Sequence, residues 1–323
     1  MSSLDALMQA SSVENKVYQV NILTPLFMHG WQRAEKKHDG KTRNEPIAGE
    51  LRPPSFKGIW RYWWRALQTG LSHAELLSRE QQMFGGSGGS DDETRSPVSL
   101  KVSPVLTSSK KYPVRPHKKS FSVLAIEPGK QFSLELAVQK KDRNKLPAYL
   151  DSFSFTLMLA GFGQRGRRAG GALQAKEQDW KHVDDFRHQL QDLLGALGVV
   201  EQFTFDNMEP GWLLKRAQGT AKHPVLCAAW VGEKFNTAEN ARIAICQAAS
   251  SANPPGKGNV QHLGSAIPKR VASPLHATVR RIGEGFYPVV SEVMPQATRD
   301  GSGRSNAYLT ARDKVLRAVG VVL

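Results

Sequence analysis

Eleven residues constrain the chain more than any others. Gly161-Phe162-Gly163-Gln164-Arg165-Gly166-Arg167-Arg168-Ala169-Gly170-Gly171 holds five glycines, three arginines and no acid. Glycine is costly inside a helix or strand, and this run has neither helical nor alternating apolar periodicity. It must be a loop, placed where the backbone passes close to something. Glycine lets main-chain amides approach a polyanion, and arginine forks supply bidentate contacts to phosphate or stack on bases. Gly161, Gly163 and Gly166 also satisfy GxGxxG, but a helical pattern precedes the loop and no apolar helix follows, so the βαβ context of a dinucleotide site is missing. Gly40-Lys41-Thr42 imitates the end of a phosphate-binding P-loop, yet Glu35 stands where its first glycine is needed.

The elements around the loop read as α+β. Val17 to Phe27 is a strand ending in the turn-like Met28-His29-Gly30, and the polar stretch from Trp31 to Glu50 is a loop. Pro53-Pro54-Ser55 opens a helix with Ser55 as N-cap and a face of Phe56, Ile59, Trp60, Trp63, Trp64 and Leu67. Those tryptophans read as core. Lys57, Arg61 and Arg65 recur at i, i+4 and i+8 on another face. A solvated connection from Gly85 to Glu93 leads to a strand at about Pro97 to Leu106. A strand pair follows, Phe121 to Ile126 and Gln131 to Val138, with the turn Glu127-Pro128-Gly129-Lys130 between. A helix at about Leu150 to Leu159 precedes the glycine- and arginine-rich loop, and a last strand ends the unit. The order β, α, β, β, α, loop, β is that of a split βαβ, ferredoxin-like domain.

A second α+β unit, divided from the first near Lys176, has helices at Val183 to Leu197 and Thr237 to Ala249. Its strands lie at Val225 to Val231, Ala272 to Arg281 and Tyr287 to Val293, and a terminal helix runs from Asn306 to Val319.

Charge selects the partner class. Lys plus Arg number 44 against 29 Asp plus Glu, giving +15, which points to a polyanion. Two further acid-free basic runs, Lys101 to Ser120 and Ala252 to Ile282, suggest a shared anionic path. Tyr112, Phe121, Phe162 and Phe286 beside them are candidates for base stacking. Catalytic signals are few: no HxH, HExxH or Cys/His spacing occurs, and Asp91-Asp92-Glu93 reads as a solvated turn. No metal and no cofactor is expected. Cys227 and Cys246 are too few for a disulfide framework, which suits a reducing compartment, and neither a signal sequence nor a long apolar span is visible. A cytoplasmic protein is the expectation.

Ordered motifs then resemble a known family. Leu23-Thr24-Pro25-Leu26-Phe27-Met28-His29-Gly30, Glu50-Leu51-Arg52-Pro53-Pro54-Ser55-Phe56-Lys57-Gly58, Arg61-Tyr62-Trp63-Trp64-Arg65-Ala66-Leu67 and Met83-Phe84-Gly85-Gly86 with Arg95-Ser96-Pro97 resemble the RAMP superfamily, in particular the first RAMP subunit of the Cmr (type III-B) CRISPR effector complex. The loop at 161–171 and the segment Gly264 to Leu275 are similar to RAMP segments too. The resemblance implies two ferredoxin-like (RRM-like) domains in tandem, residues 1–175 and 176–323. It implies a non-catalytic RNA-binding subunit that contacts the 3′ part of the guide CRISPR RNA and the paired target RNA, beside other RAMP subunits. Carried onto this sequence, the RNA contacts expected are Arg52, Ser55, Lys57, Arg61, Arg65, Arg165, Arg167, Arg168, Lys269 and Arg270. Two rivals stay open. One is a metal-independent guide-processing endoribonuclease, for which His29 is the best base although the motif usually has a glycine pair there. The other is an adaptor whose basic surface meets acidic protein neighbours.

Overall fold

The computed structural model describes residues 12–29, 49–86, 95–107, 110–118, 121–205, 211–254, 262–265, 271–295 and 305–323. Its first sheet is antiparallel throughout, in the order β2 (Val98–Ser103), β5 (Gln131–Gln139), β1 (Val13–Ile22), β6 (Leu173–Ala175). Alternation decides which face is covered. Tyr18, Val20 and Ile22 of β1 and Phe132, Leu134 and Leu136 of β5 point into the core. The opposite face carries Val17, Gln19, Gln131 and Ser99 and is open to solvent.

Against the covered face lie α1 (Pro53–Leu67) and α3 (Leu146–Leu159). α3 is apolar almost all round, as a helix covered on both sides must be, from Tyr149 through Phe153, Phe155 and Leu157 to Leu159. The cover on its far side is a second antiparallel sheet in the order β10 (Leu275–Ile282), β11 (Gly285–Met294), β9 (Val225–Val231), β8 (Trp212–Arg216), β7 (Phe203–Thr204). β11 shows the alternation that results. Val289 and Val293 face α1 and α3, while Val290 and Met294 face α5 (Ala238–Ala252) and α6 (Asn306–Ala318). The layers are therefore sheet, helices, sheet, helices. One apolar core runs from the first sheet into the second across position 176, and α4 (Val183–Ala196) packs on α3 through Phe186, Leu190 and Leu194.

Most expected elements are present within a few residues of their expected ends, and three departures matter. α2 (His73–Phe84) was not expected; it caps itself through Ser72 and Glu75. Ser55 is not the N-cap of α1: the helix starts at Pro53, with Arg52 in the capping position and no side-chain cap. The anticipated hairpin also pairs differently. Residues 127–130 do turn, but β4 (Ser122–Leu124) pairs with β3 (Lys111–Pro113) as a separate ribbon, while β5 lies between β1 and β2. The cause is the inward alternation of Phe132, Leu134 and Leu136, which the long β1 can match and a three-residue strand cannot.

Candidate nucleic-acid interface

The run at 161–171 leaves α3 and folds back to β6, and nearly all of it is bonded. Gln164 N–H donates to Phe27 O (2.7 Å) and Gly171 N–H to Pro25 O (2.9 Å). The Thr24 hydroxyl donates to Ala169 O (2.7 Å) and accepts from Ala172 N–H (2.9 Å). On its other side Ala169 N–H donates to Ala277 O (2.8 Å) of β10. Gln174 completes the seam: its side-chain amide pairs with both backbone groups of Arg281, as a neighbouring strand would. The loop thus joins the two sheets.

Its glycines have a nearer use than the one expected of them. At Gly171 (φ +60°) a Cβ would sit 2.1 Å from Phe162 O, and at Gly163 (φ +72°) one would sit 2.5 Å from Phe27 O. Backbone packs on backbone there, and only glycine fits.

The three arginines divide. Arg168 is a bracket: its guanidinium donates to the carbonyls of Arg167 (3.1 Å), Leu275 (3.4 Å) and Leu263 (3.4 Å) and to Ser273 Oγ (3.3 Å). Burial, and then the neighbouring arginines, push its pKa down. Arg167 donates to Ser273 O (2.7 Å) and lies over the Tyr62 ring, 5.5 Å from its centroid. Tyr62 in turn stacks on His276 at 5.2 Å, with Oη 3.0 Å from Nε2. His276 is buried, and desolvation first, then Arg167 and Arg168, hold it well below the usual histidine pKa, so it is neutral at pH 7. Arg165 is different. It is exposed at the tip, in the left-handed region at φ +66°.

Two more segments border this tip through Phe27. Phe27 packs with Val114 and Ala125, which anchor the β3–β4 ribbon. The buried Arg242 of α5 ties that ribbon down by donating to Pro113 O (2.6 Å). The ribbon and its flanks carry Lys110, Lys111, Arg115 and Lys118, all exposed, and Phe121, which is 66% exposed. On the other side Arg52, at the start of α1, donates to His29 O (3.3 Å) and pairs with Glu50 (3.2 Å).

The remaining expected contacts are placed as follows. Ser55 is half-buried in the first turn of α1. Lys57 donates to Ser96 Oγ, and desolvation first, then Arg61, lowers its pKa. Arg61 and Arg65 both bind the carboxylate of Glu80 on α2, whose side chain is 3% exposed. Sequence reasoning missed that partner because it did not expect α2. Lys269 and Arg270, with most of the loop at 31–50 and the acidic turn at 91–93, lie outside the described residues. Trp60 and Trp63 are core, and Trp60 Nε1 donates to Ser152 Oγ (2.9 Å). Phe162, expected as a stacking candidate, is buried against Phe56 and unavailable to a base.

Among the described residues no cluster of three or more His, Cys, Asp and Glu could hold a metal ion, and no helix is long and apolar enough to cross a membrane.

A family model described as the RAMP superfamily matches residues 19–174, which span the first sheet, α1 to α3 and the loop. No curated protein is a match. Among solved structures, the chain is similar to the apo form of Cmr1 from Pyrococcus furiosus at TM-score 0.58 and 16% identity, covering 88% of each chain. It is similar also to a chain of the type III-B Cmr-beta complex bound to cognate target RNA, at TM-score 0.56 and 10% identity, covering 96% of this chain and 100% of that one. Residues 19–174 therefore match the RAMP superfamily, and the fold of the chain is like that of Cmr1.

Proposed function

We propose that this chain is a non-catalytic RNA-binding subunit of a type III-B CRISPR effector complex in the cytoplasm. It holds the 3′ part of the guide RNA and the target RNA paired to it, beside other RAMP subunits. The likeness to a chain of an RNA-bound Cmr complex supports this, as do the +15 charge and the cations gathered around Phe27. We read the two halves as ferredoxin-like units. The strand order of the first sheet supports that. In the second sheet, β8, which precedes β9 in the chain, sits beside β9 where a strand following α6 would lie.

The observation that carries the reading is Arg165. A non-glycine residue in the left-handed region costs on the order of 1 kcal/mol, and in a loop with five glycines a sixth would remove that cost. Arginine there places a cationic side chain in the exposed tip of the loop, while Arg167 and Arg168 brace the fold from within it. Burial of His276, and of His29 Nδ1 among the described residues, favours holding over cleavage.

The test is a titration of labelled single-stranded RNA, then guide–target duplex, over a range of salt, with the wild type and Arg165→Gly. The variant should be at least as heat-stable as the wild type and bind RNA several-fold more weakly. The slope of log K against log salt should shrink by about 0.7 on single strands, one phosphate's worth. Unchanged affinity removes the support. RNA cleavage that disappears in His29→Ala establishes the endoribonuclease instead.

A further inference from the structure

A cluster of exposed cations that the site does not use lies at the other end of α3. Lys140–Lys145 forms a 3₁₀ turn between β5 and α3, with the sequence Lys-Lys-Asp-Arg-Asn-Lys. Lys140, Lys141, Arg143 and Lys145 are all exposed, and the only acid, Asp142, is engaged with Lys145 at 2.7 Å. The turn is fixed in place: Lys140 N–H donates to Ser12 O (2.9 Å), and Leu146 N–H donates to Arg143 O.

For the fold alone this is a poor arrangement. Cations repel one another and the positive end of a helix, and the first turn of α3 holds no acid to offset them. Local choices that run against stability mark places kept for another reason. The patch is polar around its cations: Gln139 and Asn144 are exposed, and β1 adds the exposed Glu14, opposite Val138, and a single aliphatic side chain, Val13, opposite Gln139. A protein interface would have an apolar or aromatic core and few lysines. A backbone of phosphates needs only exposed cations at fixed spacing.

We infer that the 140–145 turn is a second contact for the phosphate backbone of RNA. The turn precedes α3 and the loop that carries Arg165 follows it, so the two flank opposite ends of a helix about 21 Å long for its 14 residues. The chain then holds one strand at two ends, and the second contact adds affinity by effective concentration. This rests on the RNA-holding reading above and extends it from one contact to two.

The experiment compares the full-length wild type with Lys140→Ala/Lys141→Ala/Arg143→Ala, which leaves the Asp142–Lys145 pair intact, and separately with Arg165→Gly. Each is titrated with single-stranded RNA long enough to span both contacts, and with an oligonucleotide too short to do so. The turn variant should bind the long RNA about tenfold more weakly, with the salt slope reduced by about 2, three phosphates at 0.7 each. Its melting temperature should hold or rise, since repulsion has been removed. Loss of binding by Arg165→Gly alone, with the turn variant unchanged on both RNAs, overturns the second contact and leaves the first. Loss by the turn variant alone keeps the second contact and removes the first. Unchanged RNA binding, with weakened co-purification of partner subunits, makes the turn a protein contact and overturns the inference. A wild type that binds neither RNA overturns both.

Discussion

The helices of the first half end in two different ways. α2 lies on the surface and finishes its own N-terminus: Ser72 Oγ accepts from Glu75 N–H at 3.3 Å, and the Glu75 carboxylate accepts from Ser72 N–H at 2.8 Å. α1 and α3 lie between the two sheets, have no side-chain N-caps, and add to their own C-terminal caps, Gln68 and Ala160, further donors from the second half of the chain. Arg280 of β10, wholly buried, donates to the carbonyls of Met158 (2.8 Å), Ala160 (2.8 Å) and Leu157 at the end of α3. Arg216 of β8 reaches Ala66 O (3.4 Å) near the end of α1, and the ring of His223 lies 3.2 Å from Arg65 O. Last-turn carbonyls form the negative end of a helix, so a cation there meets both the orphan acceptors and the dipole. Burial lowers the pKa of Arg280 to about 9 and of Arg216 to about 10, which leaves both charged at neutral pH. A helix that water cannot reach must have its ends satisfied by distant chain, and that is how the two halves become one body.

The largest effect that tests this contrast is removal of the Arg280 fork. Arg280→Met keeps much of the volume but strands three carbonyls in the core, and should cost about 3 kcal/mol or more in chemical denaturation. Arg280→Lys keeps a charge without the fork and should fall between. A loss below about 0.5 kcal/mol for the methionine variant would mean that α3 needs no cap from the second sheet.

Next in size is the burial difference between the sheets. Val290 is completely buried on a sheet covered on both faces, whereas Val17 is 40% exposed on the open face of the first sheet. Val290→Ala should cost about 2 kcal/mol and Val17→Ala less than about 0.5. Equal losses would show that the open face is covered in solution.

His276 gives a pH dependence of known sign. Its folded-state pKa is depressed below 6.5, so the unfolded chain takes up a proton first as pH falls. Stability from this group is full above the unfolded value and declines as pH drops through it, by at most about 1.4 kcal/mol per pH unit. His276→Phe should flatten the wild-type decline between pH 7.5 and 5. If both proteins decline alike, the burial argument for a neutral imidazole fails.

What could be read in the sequence follows the same division. The apolar face of α1 and the run Val225–Val231, buried at every position, are local signals and were legible. The identity of the loop was legible from glycine and arginine alone. The roles of its arginines were not, because the acceptors of Arg168 lie about a hundred residues away at Leu263, Ser273 and Leu275. Arg280, inside the basic run at 252–282 expected to line an anionic path, is instead buried as a helix cap, and that was illegible for the same reason: its acceptors at Leu157, Met158 and Ala160 lie about 120 residues away. α2 is the opposite case: its Ser-x-x-Glu capping box is a local signal, yet the helix was missed because its buried face is only Leu76, Glu80 and Phe84, with a charge in the middle.

That box supplies the smallest test. Ser72→Ala removes one acceptor from an exposed helix end and should cost about 1 kcal/mol, well under the Arg280 effect. The other half of the box titrates: bonds from Ser72, its backbone N–H first, hold the Glu75 carboxyl below its ordinary pKa, so the carboxylate's part is present at neutral pH and fades as pH falls through the lowered value. Because α2 carries Glu80, fraying its start would also loosen the anchor of Arg61 and Arg65. RNA affinity that rises in Ser72→Ala, as freed guanidinium groups reach phosphate, would place those two arginines beside the bound strand. Unchanged affinity would confine them to holding α1 against α2.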